Sequence, residues 1–429
     1  WWTHYRDAEL DALLAQANAA NQDIRFAEAQ YRQARAAAQL ARSAYAPTLG
    51  ASLSSARAQS RGASASLPST SHELALDASW EPDLWGRVRR SVEAGTANAQ
   101  ASAADLAAAR LTIQAELVQD YLQLRVSDAE RDLISRSAQG YEKALALTRS
   151  QYRAGIVTQA DVALAETQLR SAQAQAIDLG IARSQLEHAI AFLTGRTPAE
   201  VSIAVRPSGQ LGVTLPDTPA ALPSQLLQRR PDIAAAERRA AAANANIGVA
   251  QAAYFPSLSL SASGGIAGAS LAQLANAPAR VWSLGAGLAQ LLFDGGARRA
   301  QTEEATAAFD AAAAQYKRSV LAGLQEVEDN LAQLRILAEE RGVQEAAVAS
   351  ARNAERVSLA QYRAGTTSFL SVVTAQNLAL GNERSALQLL GRQLAASAAL
   401  VKALGGGWNA AELDTAAAAA AMNAAPSGS

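Results

Sequence analysis

Gln151-Tyr152-Arg153-Ala154-Gly155 recurs as Gln361-Tyr362-Arg363-Ala364-Gly365, an offset of 361 − 151 = 210. An identical pentapeptide at that separation marks an internal repeat. Working outward, Ala44-Tyr45-Ala46-Pro47-Thr48-Leu49 returns as Ala253-Tyr254-Phe255-Pro256-Ser257-Leu258, and Asp23-Ile24 with Glu28 returns as Asp232-Ile233 with Glu237, both at an offset of 209. The matches keep their order and drift by one residue, so the chain reads as a tandem duplication. A first repeat covers 1–206, a Pro/Gly-rich linker 207–222 and a second repeat 223–408. The Ala-rich tail 409–429 has no packing pattern and is expected to be mobile.

Inside each repeat the hydrophobic period changes from helical to extended and back. Residues 7–45 read as helix until Pro47, and proline cannot continue a helix interior. From His72 to Trp80, Leu74, Leu76, Ala78 and Trp80 alternate with Glu73, Ala75, Asp77 and Ser79; Leu258, Leu260 and Ala262 alternate with serines. In Val281 to Phe293, Trp282, Leu284, Ala286 and Leu288 oppose Ser283, Gly285 and Gly287. A period of two predicts strands, giving hairpins over about 48–81 and 257–293. Long helices are predicted over about 87–153 and 296–363, roughly 100 Å each at 1.5 Å per residue. In the second, Tyr316, Val320, Leu324, Val327, Leu331 and Leu334 form one apolar stripe. Helices returning over about 158–195 and 366–404 complete each repeat. The fold class is mainly α with a small membrane β part.

Composition excludes several functions. With 38 basic against 39 acidic side chains, nothing marks a nucleic-acid surface. There is no Cys, and His4, His72 and His188 are scattered, so no metal site or cofactor is expected. No phosphate-binding loop, His-Glu-x-x-His or Gly-x-Ser-x-Gly motif occurs, which argues against an enzyme. No run of about 18 apolar residues is present, so a membrane role requires the strands. Arg230-Pro231-Asp232 reads as a helix entry and His72 as a strand residue, both structural.

Four amphipathic strands are too few for a barrel, and open edges are not tolerated in lipid. Several copies must therefore share one barrel. Trp80, Trp85 and Trp282 fall where interfacial aromatics are expected. The polar faces would line a water-filled lumen, the long helices would extend it, and the turns at Gly155 and Gly365 would mark its far end.

Several motifs then carry a specific likeness. They are Trp80-Glu81-Pro82-Asp83-Leu84-Trp85-Gly86-Arg87, Leu222-Pro223-Ser224-Gln225-Leu226-Leu227-Gln228-Arg229-Arg230-Pro231-Asp232-Ile233, Ala243-Asn244-Ala245-Asn246-Ile247-Gly248, Phe255-Pro256-Ser257 and Lys402-Ala403-Leu404-Gly405-Gly406-Gly407-Trp408. In this order the chain resembles the outer-membrane factor family of tripartite efflux systems, the TolC- and OprM-like channels of the NodT lipoprotein type. The resemblance implies a homotrimer, a 12-stranded barrel in outer-membrane lipid and a periplasmic α-helical barrel. It also implies a passive exit duct serving an inner-membrane RND transporter through a periplasmic adaptor protein, and exporting drugs or other small molecules. A lipidated Cys upstream of Trp1 is a further expectation.

The resemblance places adaptor docking at Tyr152, Arg153, Gly155 and Thr158 in the first repeat and at Tyr362, Arg363, Gly365 and Thr366 in the second. Glycine there also serves as a helix C-cap, but its repetition favours the tip role. The periplasmic aperture falls on Asp161, Leu370, Ser371, Thr374 and Asn377. Where family channels carry an Asp followed three residues later by Arg, this chain has Thr374 and Asn377, so closure is expected from Leu370, neutral hydrogen bonds and Asp161. The alternatives are an outer-membrane duct for protein secretion or metal efflux, and more remotely a soluble coiled-coil scaffold. The lone Met422 gives no copper- or silver-handling cluster.

Overall fold

Helix breaks and caps set the order of elements. The computed structural model describes residues 1–59, 68–206, 229–276, 279–411 and 413. The linker 207–222, the motif residues 222–228, the hairpin-loop residues 60–67 and 277–278, and the tail from 414, with Met422, lie outside the described residues.

Asp7 caps α1 (Ala8–Ala20), its carboxylate accepting from the backbone N–H of Glu9 and Leu10. Leu10, Leu13, Leu14 and Ala17 recur at helical spacing and are buried. The single helix expected over 7–45 is in fact two. Asn21 adopts an extended backbone and its Oδ1 accepts from Asp23 and Ile24 N–H, which starts α2 (Gln22–Ser43). Its Nδ2 donates to the Leu193 carbonyl at 2.9 Å.

After Pro47 come β1 (Thr48–Ala58) and β2 (Ser69–Trp80). The Asp83 carboxylate accepts from Val88 and Arg89 N–H and opens α3 (Arg87–Arg153), 67 residues long. Next is α4 (Gln159–Leu193), of 35 residues. The second half repeats the plan with α5 (Pro231–Ala252), β3 (Ser257–Gly268), a short α6 (Leu271–Asn276), β4 (Ala279–Ala289), α7 (Ala297–Arg363) and α8 (Phe369–Ala403). Asp294 caps α7 as Asp83 caps α3. α7 and α8 again have 67 and 35 residues.

The repeat extends to individual bonds. Arg230 stands 209 residues after Asn21, and its guanidinium donates to the Ala403 carbonyl at 3.0 Å, 210 residues after Leu193. Both residues therefore tie the start of a helix to the end of a returning one.

The chain divides into two units. One comprises Ala29–Ala103 and Ala234–Arg318. It holds a four-stranded antiparallel sheet in the order β1-β2-β3-β4. Directly paired residues share a face, so the register gathers Leu49, Leu53, Leu74, Leu76, Trp80, Leu258, Leu260, Ile266, Trp282, Leu284 and Leu288 on one side. The other side carries Ser52, Asp77, Ser79, Ser259, Ser261, Ser263 and Ser283, with Gly285 and Gly287.

The other unit comprises Trp1–Glu28, Ala104–Ile233 and Ser319–Ser429. One apolar cluster joins Ile134, Tyr141 and Leu145 of α3, Val162 and Leu169 of α4, and Tyr362, Phe369 and Val372. A second centre is ionic. Arg125, only 2% exposed, donates to the Ala204 carbonyl at 2.8 Å and pairs with Asp128 and Glu9. Arg183 bonds Asp128 at 2.7 Å and the Ile203 carbonyl at 2.6 Å. Arg206 and the Tyr121 hydroxyl both donate to Asp7 at 2.7 Å. This network fastens the segments around residues 7–9 and 203–206 to α3 and α4.

Candidate functional site

The two pentapeptides end α3 and α7 in the same way. Gly155 and Gly365 both have φ of +72°, a backbone that only glycine adopts without cost. Gly155 N–H donates to the Tyr152 carbonyl and Ile156 N–H to that of Gln151; Gly365 and Thr366 repeat this onto Tyr362 and Gln361. A Cβ added at either glycine meets open space.

Beyond the glycines the tips diverge. Thr158 caps α4 in a reciprocal box: its Oγ1 accepts from Asp161 N–H, and Asp161 Oδ2 accepts from Thr158 N–H at 3.0 Å. The equivalent pair, Ser368 and Ser371, offers α8 no side-chain cap. α8 starts at Phe369 rather than at the expected 366, because Thr366 N–H and Oγ1 are both spent on the Gln361 carbonyl.

The tyrosines differ more. Tyr152 is 45% exposed, whereas Tyr362 is 3% exposed. The Tyr362 hydroxyl shares a 3.0 Å hydrogen bond with Thr148 and its ring lies 5.2 Å from that of Phe369. Burial and the nearby charge of Asp161 raise its pKa, against the Thr148 hydrogen bond, so the phenol stays neutral. Tyr362 is thus an interior residue and not the exposed docking residue expected of it. Arg153, Arg363 and Thr366 are exposed.

The expected aperture residues of α8 share one exposed stripe. Leu370 is 60% exposed, Ser371 and Thr374 are exposed beside it, and Thr374 Oγ1 bonds the Leu370 carbonyl. Asn377 accepts from Gln168 Nε2 of α4 at 2.7 Å. Gln168 was not anticipated, because a glutamine in a long helix carries no periodic signal. Asp161 lies on α4 and serves its cap.

On the sheet, Trp80 and Trp282 stand on the apolar face, Trp282 being 76% exposed and two residues from Arg280 at the start of β4. Trp85 stacks on Phe255 at 5.0 Å and donates to the Pro256 carbonyl at 2.6 Å, fixing the link between β2 and α3. The opposite face is knitted by its own hydroxyls: Thr48 to Ser79, Ser52 to Asp77 and Ser263 to Ser283, each at 2.8 Å. Such a face is wetted, and such an apolar face is suited to lipid. Among the described residues no helix is long and apolar enough to cross a membrane, and no three His, Asp or Glu side chains gather for a metal.

A sheet with one lipid-suited and one hydrogen-bonding face, continued by paired long helices with matching tips, is the protomer architecture of an outer-membrane channel. The family profile described as "Outer membrane efflux protein" matches residues 13–196 and 222–406, and the chain belongs to this family. It is similar to the pyoverdine export outer membrane protein OpmQ of Pseudomonas aeruginosa, 32% identical over 422 residues, spanning 95% of this chain and 87% of OpmQ. Outer membrane protein OprJ of the same organism is 32% identical over 419 residues, covering 95% of this chain and 86% of OprJ. The solved structure of the outer-membrane channel OprN superposes with a TM-score of 0.90 at 32% identity, covering 95% of this chain and 92% of that one. The chain is an efflux channel protein of the outer membrane, in a family of transport proteins and not of enzymes.

Proposed function

We propose that three copies close a single twelve-stranded barrel, with the Leu/Trp face toward outer-membrane lipid and the Ser/Gly face toward a water-filled lumen. The carrying observation is the sheet itself: β1 and β4 each pair on one side only, and open edges are not tolerated in a bilayer. The helices α3, α4, α7 and α8 continue the lumen through the periplasm. A periplasmic adaptor, coupled to an inner-membrane RND transporter, docks at the tips on Tyr152, Arg153, Gly155, Thr158, Arg363, Gly365 and Thr366. Closure falls to Leu370, Ser371, Thr374 and Asn377 of α8, together with Asp161 of α4. The duct passes drugs or other small molecules, a reading supported by the similarity to the pyoverdine export protein OpmQ. A lipid anchor upstream of Trp1 completes the placement.

Electron microscopy of the detergent-extracted particle tests the assembly: three-fold rings support it, and a monomer overturns it. Docking is tested by Gly155→Arg, since a Cβ there meets no neighbour within the chain and adds only left-handed backbone strain of about 1–2 kcal/mol. Loss of adaptor capture with unchanged channel insertion is expected; undiminished capture by the doubled Gly155→Arg/Gly365→Arg variant refutes the tip assignment. For closure, Leu370→Ala should raise the resting conductance, and unchanged leakage refutes that role.

A further inference from the structure

The charges of the sheet are sorted by face. Among the described strand residues, the apolar face carries Arg57 and Arg280, while the opposite face carries Glu73 and Asp77. Both arginines are exposed, and His72 of β2 lies on the same face between them. Arg57 pairs with Thr70, two residues past His72; His72 pairs with Gly268, two residues past Ile266; and Ile266 pairs with Arg280.

From β1 to β4 this row descends four residues, about 13 Å, while crossing three strand spacings, about 14 Å. A diagonal near 45° matches the tilt of about 35–45° at which strands run in a closed barrel, so the row lies at one height. The helix-side strand ends step the same way, Thr48 pairing with Ser79 and Ser79 with Ser261, four residues inside the start of β3. Between the row and those ends the face holds Leu, Ile, Ala, Trp and Gly, with Ser55 of β1 beside His72 as its one hydroxyl.

We propose that Arg57, Arg280 and His72 form a binding row for the phosphates of an outer-leaflet glycolipid, whose acyl chains lie along Leu53, Leu74, Ile266 and Trp282. This rests on the reading of the apolar face as lipid-facing. The row is at the sheet end away from the long helices, hence at the leaflet facing outward. Guanidinium forks suit phosphate oxygens, and the acidic side chains are all on the far face.

The test reconstitutes the full chain in phosphatidylethanolamine vesicles containing a diphosphorylated disaccharide glycolipid or its dephosphorylated form. Lipid retained by the repurified channel is then weighed by mass spectrometry. Wild type should prefer the phosphorylated form, and Arg57→Ser/Arg280→Ser should weaken that preference about thirtyfold. Arg57→Lys/Arg280→Lys should keep most of it, and inorganic phosphate should not compete. Equal retention of both forms by a wild type that inserts and conducts overturns the lipid row while leaving the channel reading standing. A chain that enters neither vesicle overturns both.

Discussion

Replacing Arg125 by Met tests whether the buried ionic centre holds the segments around residues 7–9 and 203–206. The substitution keeps most of the volume and removes the bonds to the Ala204 carbonyl, Asp128, Glu9 and the Tyr121 hydroxyl. Breaking a buried pair costs about 3–5 kcal/mol, because the partner charge is left without compensation. Two features place this case at the low end. The Glu9 side chain is 35% exposed and can rehydrate, and Asp128 keeps Arg183 at 2.7 Å. A loss of about 3 kcal/mol corresponds to a rise of about 150-fold in local opening. Amide hydrogen exchange on the detergent-extracted protein should show it in peptides covering residues 7–12 and 203–206. The α4 peptide over Val162–Ala172, packed in a separate apolar cluster, should hold its protection. Arg125→Lys retains the charge without the planar fork and should fall between the two. Unchanged exchange at 203–206 in Arg125→Met would show that these segments are held by packing alone and not by the ionic centre.

Acid should weaken the same centre. Burial pushes the Asp7 carboxyl up, but hydrogen bonds from Arg206 and Tyr121 and the Arg206 charge hold it below its ordinary range. Stability from a depressed carboxylate is present above the unfolded pKa, about 3.9, and lost as pH falls through the folded value, so Asp7→Asn should flatten the acid limb of a thermal-denaturation profile below about pH 4. Asp120 has the opposite sign: burial and the charge of Glu116 push it up to about 6. The folded state then gains stability as pH drops below about 6, and Asp120→Asn should remove that gain and raise the neutral-pH melting temperature. At the ends of the returning helices, a Cβ on Gly405 would stand 1.9 Å from the Arg229 carbonyl and one on Gly195 2.4 Å from that of Ala20. Gly405→Ala and Gly195→Ala should therefore abolish the extractable folded channel, whereas Gly155→Ala, in open space, should cost only about 1–2 kcal/mol of left-handed strain.

Much of this architecture is legible because the physics is periodic. Leu258, Leu260 and Ala262 alternate with serines, and the structure puts the two sets on opposite faces of β3. What periodicity misses is one-residue chemistry. Asn21 ends α1 and caps α2, yet neither proline nor glycine announces it, and an asparagine inside a helix looks the same in sequence. The Arg125 centre unites residues from 7 to 206, a pairing that no local pattern encodes. Tyr152 and Tyr362 sit in identical pentapeptides with opposite burial, because the context lies outside the motif: Phe369 supplies a ring for Tyr362, while its equivalent in the first repeat is Gln159.

That contrast shows how duplicated tips come to be held by different forces. The first is held locally: the Thr158–Asp161 box satisfies backbone N–H groups at both ends, and an N-cap of this kind contributes about 1 kcal/mol. That cap is built from the first repeat's own residues, and Tyr152 is left exposed at the surface. The second has no side-chain cap on α8, so its first turn is held by what Phe369 and Tyr362 touch. One of those contacts is Thr148, 214 residues away on α3. Thr148 also donates to the Ala144 carbonyl, so its hydroxyl is fixed and presents a defined position to the phenol. The start of α8, which carries the exposed Leu370, is therefore coupled to the end of α3 through one aromatic pair and one hydrogen bond. Any displacement of α8 relative to α3 must break that coupling, while the Thr158–Asp161 cap of the first tip can stay closed.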